Sequence, residues 1–487
     1  MPSRRVCLFL IAAVFAISRL LYFLWGVRFD TETLSFYFQV IDPLLLKVDF
    51  WRSILYLEWQ VPVFNIFLGT VLKLFPSHTA EAFQAVYLGL GLVLSFSLFE
   101  LMRVFRVDLR IATVLILFFI LSPSAILYEN ILFYEYPLTV LFCVAALFLH
   151  RFASQGKTRD ALVFFCSLGL ISGLRGAYHL LWYVAIVSAV AWTLGKWRTR
   201  IIWAAAIPSL LLTALYAKNL VAFGSLAPGA RTLAGQNFVR MATDLVPVDE
   251  INRMIAAGEI SPLLHYDLFA MGKDFDSDPG QSPVARIVPV PPETGIPILD
   301  DCRKSTGSFN WNCTWAGDVV SAYRRDAMVV FRAHPEAWVG AVRANLARYF
   351  HPDTDGWPFD GRQDLRNPKV LARLLTLYRL ITAGEGLTAS GRPWLAYIWV
   401  TALIVFGVWR VRDWITGIVS KTALRDDADG IVLTFMLANI LFLSPVVILL
   451  SCGDQNRYRS EISAFFPVLL GLALERFRRF KAEASGV

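Results

Sequence analysis

Long apolar runs alternate with short basic turns along most of the chain. Basic residues gather between the runs, as at Lys196, Arg198 and Arg200, and again at Arg410 and Arg412. A helix needs roughly 20 apolar residues to cross a bilayer, and basic residues concentrate in cytoplasmic turns. The pattern predicts about ten spans, at 6–27, 83–102, 111–128, 136–150, two within 161–195, 201–217, 394–409, 430–450 and 461–475.

Two stretches need a separate interpretation. The stretch 161–195 is too long for one pass, and we place an external turn at its Gly173-Leu174-Arg175-Gly176 break. The apolar stretch 61–75 is too short for a crossing at about 1.5 Å per residue. It predicts an interfacial or re-entrant helix instead, which keeps the later basic clusters on the inside.

Residues 218–392 differ in composition from the rest of the chain. They hold 38 of the 84 charged residues and no run long enough to cross a membrane. We therefore predict an extracytoplasmic insert, with helices at 314–349, divided by Pro335, and at 367–382. The predicted domains are an N-terminal transmembrane module at 1–217 with outer loops at 28–82 and 128–136, the insert at 218–392, and a C-terminal transmembrane module at 393–487.

Composition and charge agree with this topology. The chain is 56% hydrophobic and only 17% charged, which excludes a purely water-soluble protein. Its net charge of +8 is spread over short turns rather than gathered on one face, so nucleic acid is excluded as a partner. We expect a multi-pass plasma-membrane protein with both termini in the cytoplasm and with membrane lipid around it.

The six cysteines divide into two kinds. Four lie in or beside apolar runs, where a small side chain packs well. Cys302 and Cys313 lie in a polar segment that the topology places outside. An oxidising outer compartment favours a disulfide between them.

The outer ends of the predicted spans carry an unusual set of polar groups. Ionisable side chains at the edge of the hydrocarbon are costly and are functional candidates by default. Carboxylates there suit acid-base chemistry, and arginines suit the binding of a lipid-borne phosphate. The candidates are Asp30, Glu32, Glu129, Glu135, Arg175, His179, Arg457 and Arg459.

Each candidate also has a structural interpretation. Carboxylates are common in loops near span ends, and Arg175 could snorkel or pair with a neighbour. Arg457 and Arg459 could be interfacial anchors. His179 fits a hydrogen-bonded packing residue better than a metal ligand, because no second His or Cys stands at ligand spacing. No metal ligands are assigned on this pattern.

Three segments of the chain resemble the GT-C superfamily of glycosyltransferases. Gln60-Val61-Pro62-Val63-Phe64-Asn65 opens an apolar helix much as a Gln/His-Pro-Pro-Leu-like motif does in that superfamily, with Val61 in place of the first proline. Leu121-Ser122-Pro123 through Tyr128-Glu129-Asn130 is similar to its acidic second outer loop. Asn456-Arg457-Tyr458-Arg459 is similar to a late motif of bacterial members, of the protein mannosyltransferase or aminoarabinose transferase type.

The resemblance implies an all-α, GT-C-like bundle and a sugar transferase that uses a polyprenyl-phosphate donor. Asp30 matches the catalytic aspartate of the first loop, with Glu32 as a nearby alternative, and Glu129 matches an acidic residue of the second loop. Strict Asp-x-Asp spacing is absent, so no cofactor is firmly implied and a divalent metal stays open. Arg175 with Arg457 or Arg459 would hold the lipid phosphate, and Glu135 and His179 would contact substrate.

Other functions remain open on the sequence alone. A transporter or flippase for a lipid-linked substrate would place its charges near the bilayer midplane. An O-antigen-ligase-like transferase would concentrate basic groups in the large loop, and a catalytically inactive relative could act as a scaffold. The acceptor of a transferase could be a glycan, a lipid or a protein.

Overall fold

The computed structural model describes residues 3–226, 228–229, 233–266, 282–356, 358–359, 368–383 and 427–484. Within these ranges the chain is helical, with turns between helices and no β-strand. Two isolated backbone bridges pair Asp30 with Ile131 and Arg303 with Phe309. The predicted all-α class is confirmed.

The helices of the N-terminal half are α1 (Arg4–Leu24), α2 (Thr33–Phe36), α3 (Pro43–Val48), α4 (Phe50–Leu55), α5 (Val63–Leu74), α6 (Thr79–Val104), α7 (Leu109–Ile120), α8 (Pro123–Glu129), α9 (Glu135–Gln155), α10 (Thr158–Leu174), α11 (Leu180–Thr193) and α12 (Arg198–Phe223). The remaining described helices are α13 (Leu233–Thr243), α14 (Val248–Ala256), α15 (Pro297–Asp300), α16 (Thr314–Ala333), α17 (Pro335–Tyr349), α18 (Pro368–Ala383), α19 (Ala428–Leu450), α20 (Gln455–Arg459) and α21 (Phe465–Ala484).

Five described helices are long and apolar enough to cross a membrane. They are α1, α6, α9, α19 and the segment Gly195–Phe223, which contains α12. A sixth span is formed if α7 and α8, which meet at a bend of 57°, are taken together. The chain is therefore a helical protein with membrane-spanning character.

The count of ten spans is not confirmed and stays a prediction. Helices α10, α11 and α21 lie where the pattern predicts spans five, six and ten, but α10 and α11 have only 17 and 14 residues, and α21 ends in a basic segment. The predicted span at 394–409 lies outside the described residues. The predicted break at 173–176 does separate α10 from α11.

Helix α9 occupies the centre of the bundle and packs against α6, α10 and α19. It begins at Glu135 and ends at Gln155, followed by Gly156, whose φ of 65° is the left-handed geometry that glycine adopts readily at a helix end. Helix α8 begins after Ser122, whose hydroxyl caps the helix, with Pro123 in its first turn. These boundaries place the loop 130–134 at one end of the bundle.

The insert builds a hydrophobic cluster of its own. Trp315 and Tyr323 are buried there, while Tyr349 belongs to the core of the bundle and donates to or accepts from Ser444 Oγ at 2.6 Å. The predicted break at Pro335 separates α16 from α17, and the helix predicted at 367–382 is α18. Trp59, from the first outer loop, is also part of the insert's hydrophobic cluster, whereas other residues of this loop belong to the core of the bundle. The first outer loop therefore packs against both the insert and the bundle.

Candidate functional site

Asp30 connects the first outer loop to the second. Its backbone N–H donates to the carbonyl of Asn130 at 2.8 Å, and its carbonyl accepts from the N–H of Leu132 at 2.9 Å. This short parallel bridge holds the residue between α1 and α2 in an extended position. The side chain is completely buried, and its Oδ1 accepts from the backbone N–H of Glu32 at 2.8 Å. The carboxylate therefore has a fixed orientation.

A buried ion cluster lies at the same end of the bundle. Glu135, the first residue of α9, faces two arginines with its Oε1: Arg457 Nη1 at 3.0 Å and Arg175 Nη1 at 3.4 Å. Arg175 is the residue after α10, and Arg457 belongs to α20. The cluster thus unites predicted site residues from three segments that are far apart in the sequence.

Glu461 completes the cluster. It lies in the 3₁₀ turn Ser460–Ile462, pairs directly with Arg175 Nη1, and accepts from the Tyr178 hydroxyl at 2.8 Å through its other oxygen. Glu135 and Glu461 are completely buried, and the side chains of Arg175 and Arg457 are 8% and 4% exposed. We define the ion cluster as Glu135, Arg175, Arg457 and Glu461.

Aromatic rings surround these charges. The Arg175 guanidinium lies 4.0 Å from the ring centre of Tyr458 and 5.2 Å from that of Tyr134, and Arg457 lies 5.2 Å from that of Phe133. Such rings attract cations through their faces and exclude water. Electrostatic interactions are stronger in such a place than in solvent.

The segment that follows Asp30 borders the cluster. The Tyr134 hydroxyl donates to Gln39 Oε1 at 2.7 Å and lies 3.3 Å from the Tyr37 hydroxyl. Thr33 donates its hydroxyl to the carbonyl of Leu132 at 2.6 Å. The first outer loop and the loop 130–134 therefore form one hydrogen-bonded unit that includes Asp30.

Glu129 pairs with an arginine outside this cluster. Its two oxygens pair with Arg19 Nε and Nη2, each at 2.8 Å, and its Oε2 also accepts from the Tyr136 hydroxyl at 2.8 Å. Helix α6 approaches closely here, because a Cβ at Gly91 would overlap Glu129 Oε2 and the Phe15 ring. The structure places Glu129 inside the bundle, in a pair with the first helix.

The other predicted site residues take up positions around the cluster. Glu32 precedes α2 and is half-buried, and its backbone N–H donates to Asp30 Oδ1. His179 caps α11, its Nδ1 accepting from the N–H of Leu181 at 3.1 Å. Arg459 donates to the carbonyls of Tyr349 and His351 at 2.9 and 2.7 Å, so it fixes the end of α17 in the insert.

Cys302 and Cys313 form a disulfide, the pairing that the sequence predicts. The segment between them, which we call the strap (302–313), lies on the first outer loop. Lys304 Nζ donates to the carbonyl of Tyr37 at 2.8 Å, and the Ser305 N–H donates to Asp42 Oδ2 at 2.6 Å. Burial lowers the pKa of Lys304 to about 7, against a partly opposing effect of Asp42.

A second segment of the insert reaches the bundle at 351–356. Asp353 is buried, and its Oδ2 accepts from the Ser124 hydroxyl at 2.8 Å, while its carbonyl accepts from the Tyr128 hydroxyl at 2.7 Å. Burial raises the pKa of Asp353. Asn456 donates to the carbonyls of Pro352 and Asp355 on the same segment at 2.6 and 2.9 Å.

Sequence reasoning missed three residues of this region. Glu461 was visible only as one more polar residue of the segment 454–461, and Lys304 and Asp353 lay unmarked in the insert. Their burial follows from contacts with residues far away in the chain, which no local pattern records. Among the described residues, no three His, Cys, Asp or Glu side chains gather as a metal-binding group would require.

Comparison with known proteins adds no relative to this picture. No family model, no curated protein and no solved structure matches the chain.

Proposed function

We propose that the protein is an integral membrane glycosyltransferase that moves a sugar from a polyprenyl-phosphate donor to an acceptor hydroxyl on the extracytoplasmic side. One observation carries the proposal: the backbone of Asp30 is bridged to the loop 130–134, which leads directly into the ion cluster with its two arginines. A base and a phosphate-binding group are the two requirements of this reaction. Both come from outer segments of the chain.

Asp30 is the proposed general base. As the acceptor oxygen forms its bond to the anomeric carbon, its proton passes to the Asp30 carboxylate, and the bond from that carbon to the phosphate oxygen breaks. The bonding electrons leave with the lipid phosphate. A positioned base of this kind accelerates a reaction by about 10²–10⁴-fold. The hydrogen bond from the Glu32 N–H holds Oδ1 of Asp30 in a fixed orientation.

Arg175 and Arg457 are the proposed phosphate-binding residues. Guanidinium groups bind phosphate with paired, charge-assisted hydrogen bonds, and they remain charged at any physiological pH. The aromatic rings around them lower the local polarity, which strengthens their effect on the charge that develops on the leaving phosphate.

Asp30 is a better base than the other two acidic candidates. Both oxygens of Glu129 already bind Arg19. Glu32 supplies its backbone N–H to Asp30, and its own side chain lies half-exposed before α2. We therefore assign the base to Asp30 and a supporting position to Glu32.

The test is sugar transfer in proteoliposomes from a panel of polyprenyl-phosphate sugars. The comparison uses the wild type, Asp30→Asn, and Glu336→Gln as a control, since the Glu336 side chain is 71% exposed in the insert. We expect Asp30→Asn to fold and to bind donor but to lose most of its turnover, and the control to keep its turnover. Near-normal transfer by Asp30→Asn would overturn the assignment. Movement of the lipid-linked sugar across the bilayer without transfer would favour a flippase.

A further inference from the structure

The phosphate site proposed above already holds an anion of the protein's own. Arg175 Nη1 is paired with the Glu461 carboxylate, and the second oxygen of that carboxylate is bound by the Tyr178 hydroxyl at 2.8 Å. A carboxylate and a phosphate present similar oxygen acceptors to a guanidinium group. Glu461 therefore occupies the position on Arg175 that a lipid phosphate would take.

The net charge of the ion cluster decides whether an additional anion can bind there. Arg175 and Arg457 contribute two positive charges, and Glu135 and Glu461 contribute two negative ones, so the buried ion cluster is neutral. Asp454, whose Oδ2 lies 3.8 Å from Arg457 Nη2, is 35% exposed and stands at the solvent edge of the cluster, outside this buried count. Adding a phosphodiester with one negative charge would leave a buried, uncompensated charge. Such a charge carries a large desolvation cost in a protein interior. Binding is therefore favourable only if one carboxylate loses its charge or leaves.

Of the two carboxylates, Glu461 is better suited than Glu135 to lose its charge and to leave its arginine. Glu135 touches both arginines with one oxygen and stands in the first turn of α9, where the helix dipole stabilises a negative charge. Glu461 pairs with one arginine and lies in a short 3₁₀ turn. Its other partner, the Tyr178 hydroxyl, can donate to a carboxylate and can equally accept from a carboxylic acid.

We propose that Glu461 is the resident anion of the phosphate site, and that a single-charge lipid phosphodiester binds by taking its place on Arg175 as Glu461 takes up one proton. The proton comes from the outer solution, and no covalent bond changes. This proposal rests on the proposed function and adds to it a coupling between donor binding and protonation. The charged and titratable groups that face Glu461 are Arg175, Tyr178, Glu135, Arg457 and Tyr349. The arginines and tyrosines among them keep their charge states near neutral pH.

The experiment measures binding of a farnesyl methyl phosphodiester, whose single charge is constant around neutral pH, to the purified full-length protein in detergent. For the wild type we expect the Kd to rise with pH by up to about tenfold per unit above the pKa of Glu461. For Glu461→Gln we expect binding about tenfold tighter near neutral pH and independent of pH, because the cluster then carries a permanent positive charge. Glu100→Gln is the matched control, since Glu100 is likewise a buried carboxylate in an arginine ion pair, with Arg4 and Arg103, outside the ion cluster.

A second measurement uses the unmodified protein, in case Glu461→Gln does not fold. Calorimetry in two buffers of different ionisation enthalpy should show uptake of about one proton for each phosphodiester bound. Binding without proton uptake, or a Glu461→Gln variant that binds no tighter than the wild type, would overturn the inference while sugar transfer still depended on Asp30. If no variant bound the phosphodiester and none transferred sugar, the proposed function itself would fail, and this inference with it.

Discussion

Arg19 and Glu129 form a two-point ion pair inside the helix bundle, with Nε to Oε1 and Nη2 to Oε2 both at 2.8 Å. The Arg19 side chain is 9% exposed and that of Glu129 only 1%. Arg19 Nη1 also donates to the carbonyl of Ile120 at 2.7 Å, where α7 ends. The ion pair thus joins α1 to the end of α8, just before the loop that holds Asp30, and the bond to Ile120 joins α1 to the bend between α7 and α8.

This pair should contribute strongly to stability. Removing one partner of a buried ion pair typically costs about 3–5 kcal/mol, because the other charge is left buried alone. We expect Arg19→Met and Glu129→Met each to lower the thermal stability in detergent sharply, and the double variant Arg19→Met/Glu129→Met to recover a large part of the loss. The control is Arg4→Met, since the Arg4 side chain is 54% exposed. A loss in the double variant equal to the sum of the two single losses would show that the pair is not coupled.

The sequence predicted the helices of this fold better than it predicted their contacts. Apolar length and the glycines near Arg175 located the helices and the break between α10 and α11, because both signals are local. The partner of Glu129 could not be predicted, because Arg19 lies 110 residues away and stands alone in an apolar run. Glu461 pairs with Arg175 across 286 residues for the same reason. Tertiary packing, which no spacing along the chain records, assembled the ion cluster.

Substitution of the three acidic candidates should separate chemistry from structure. Asp30→Asn should lower kcat by about 10²–10⁴-fold and leave the donor Kd near that of the wild type, because the neutral amide still accepts from the Glu32 N–H. Glu32→Gln should cause a smaller loss, and Glu129→Gln should mainly reduce the yield of folded protein. Single-turnover transfer and donor binding, measured on the same preparations, distinguish these effects. A larger loss of kcat in Glu32→Gln than in Asp30→Asn would transfer the role of base to Glu32.

The disulfide should keep the strap on the first outer loop. Closing a loop of this length removes about 3 kcal/mol of chain entropy from the unfolded state. Replacing Cys302 and Cys313 together by alanine should therefore lower the melting temperature. It should also speed amide hydrogen exchange in residues 33–42, which the strap contacts through Lys304, Ser305 and Thr306. Cys166→Ala, at an exposed free cysteine, is the control. Unchanged exchange in residues 33–42 would mean that the strap does not restrain this loop.

Lys304 should give the stability of the protein a distinct pH dependence. Burial lowers its pKa to about 7 in the folded protein, whereas an unfolded lysine titrates near its ordinary value of 10.5. Between these two pH values the unfolded state binds more protons than the folded state, so this residue makes stability rise with pH, by up to about 1.4 kcal/mol per unit. Below pH 7 both states are protonated, and the cost of the buried charge is fully present.

Lys304→Met removes this term, so its stability relative to the wild type should be highest at or below pH 7 and should fall steadily toward pH 10. The measurement is the melting temperature of both proteins in detergent across that range, with the exposed Lys47→Met as the control for loss of a lysine charge. The carbonyl of Tyr37 loses its donor in Lys304→Met, which shifts the whole curve but not its slope. A constant difference between Lys304→Met and the wild type at every pH would show that Lys304 keeps an ordinary pKa, and that the strap contacts the first outer loop without burying a titrating charge.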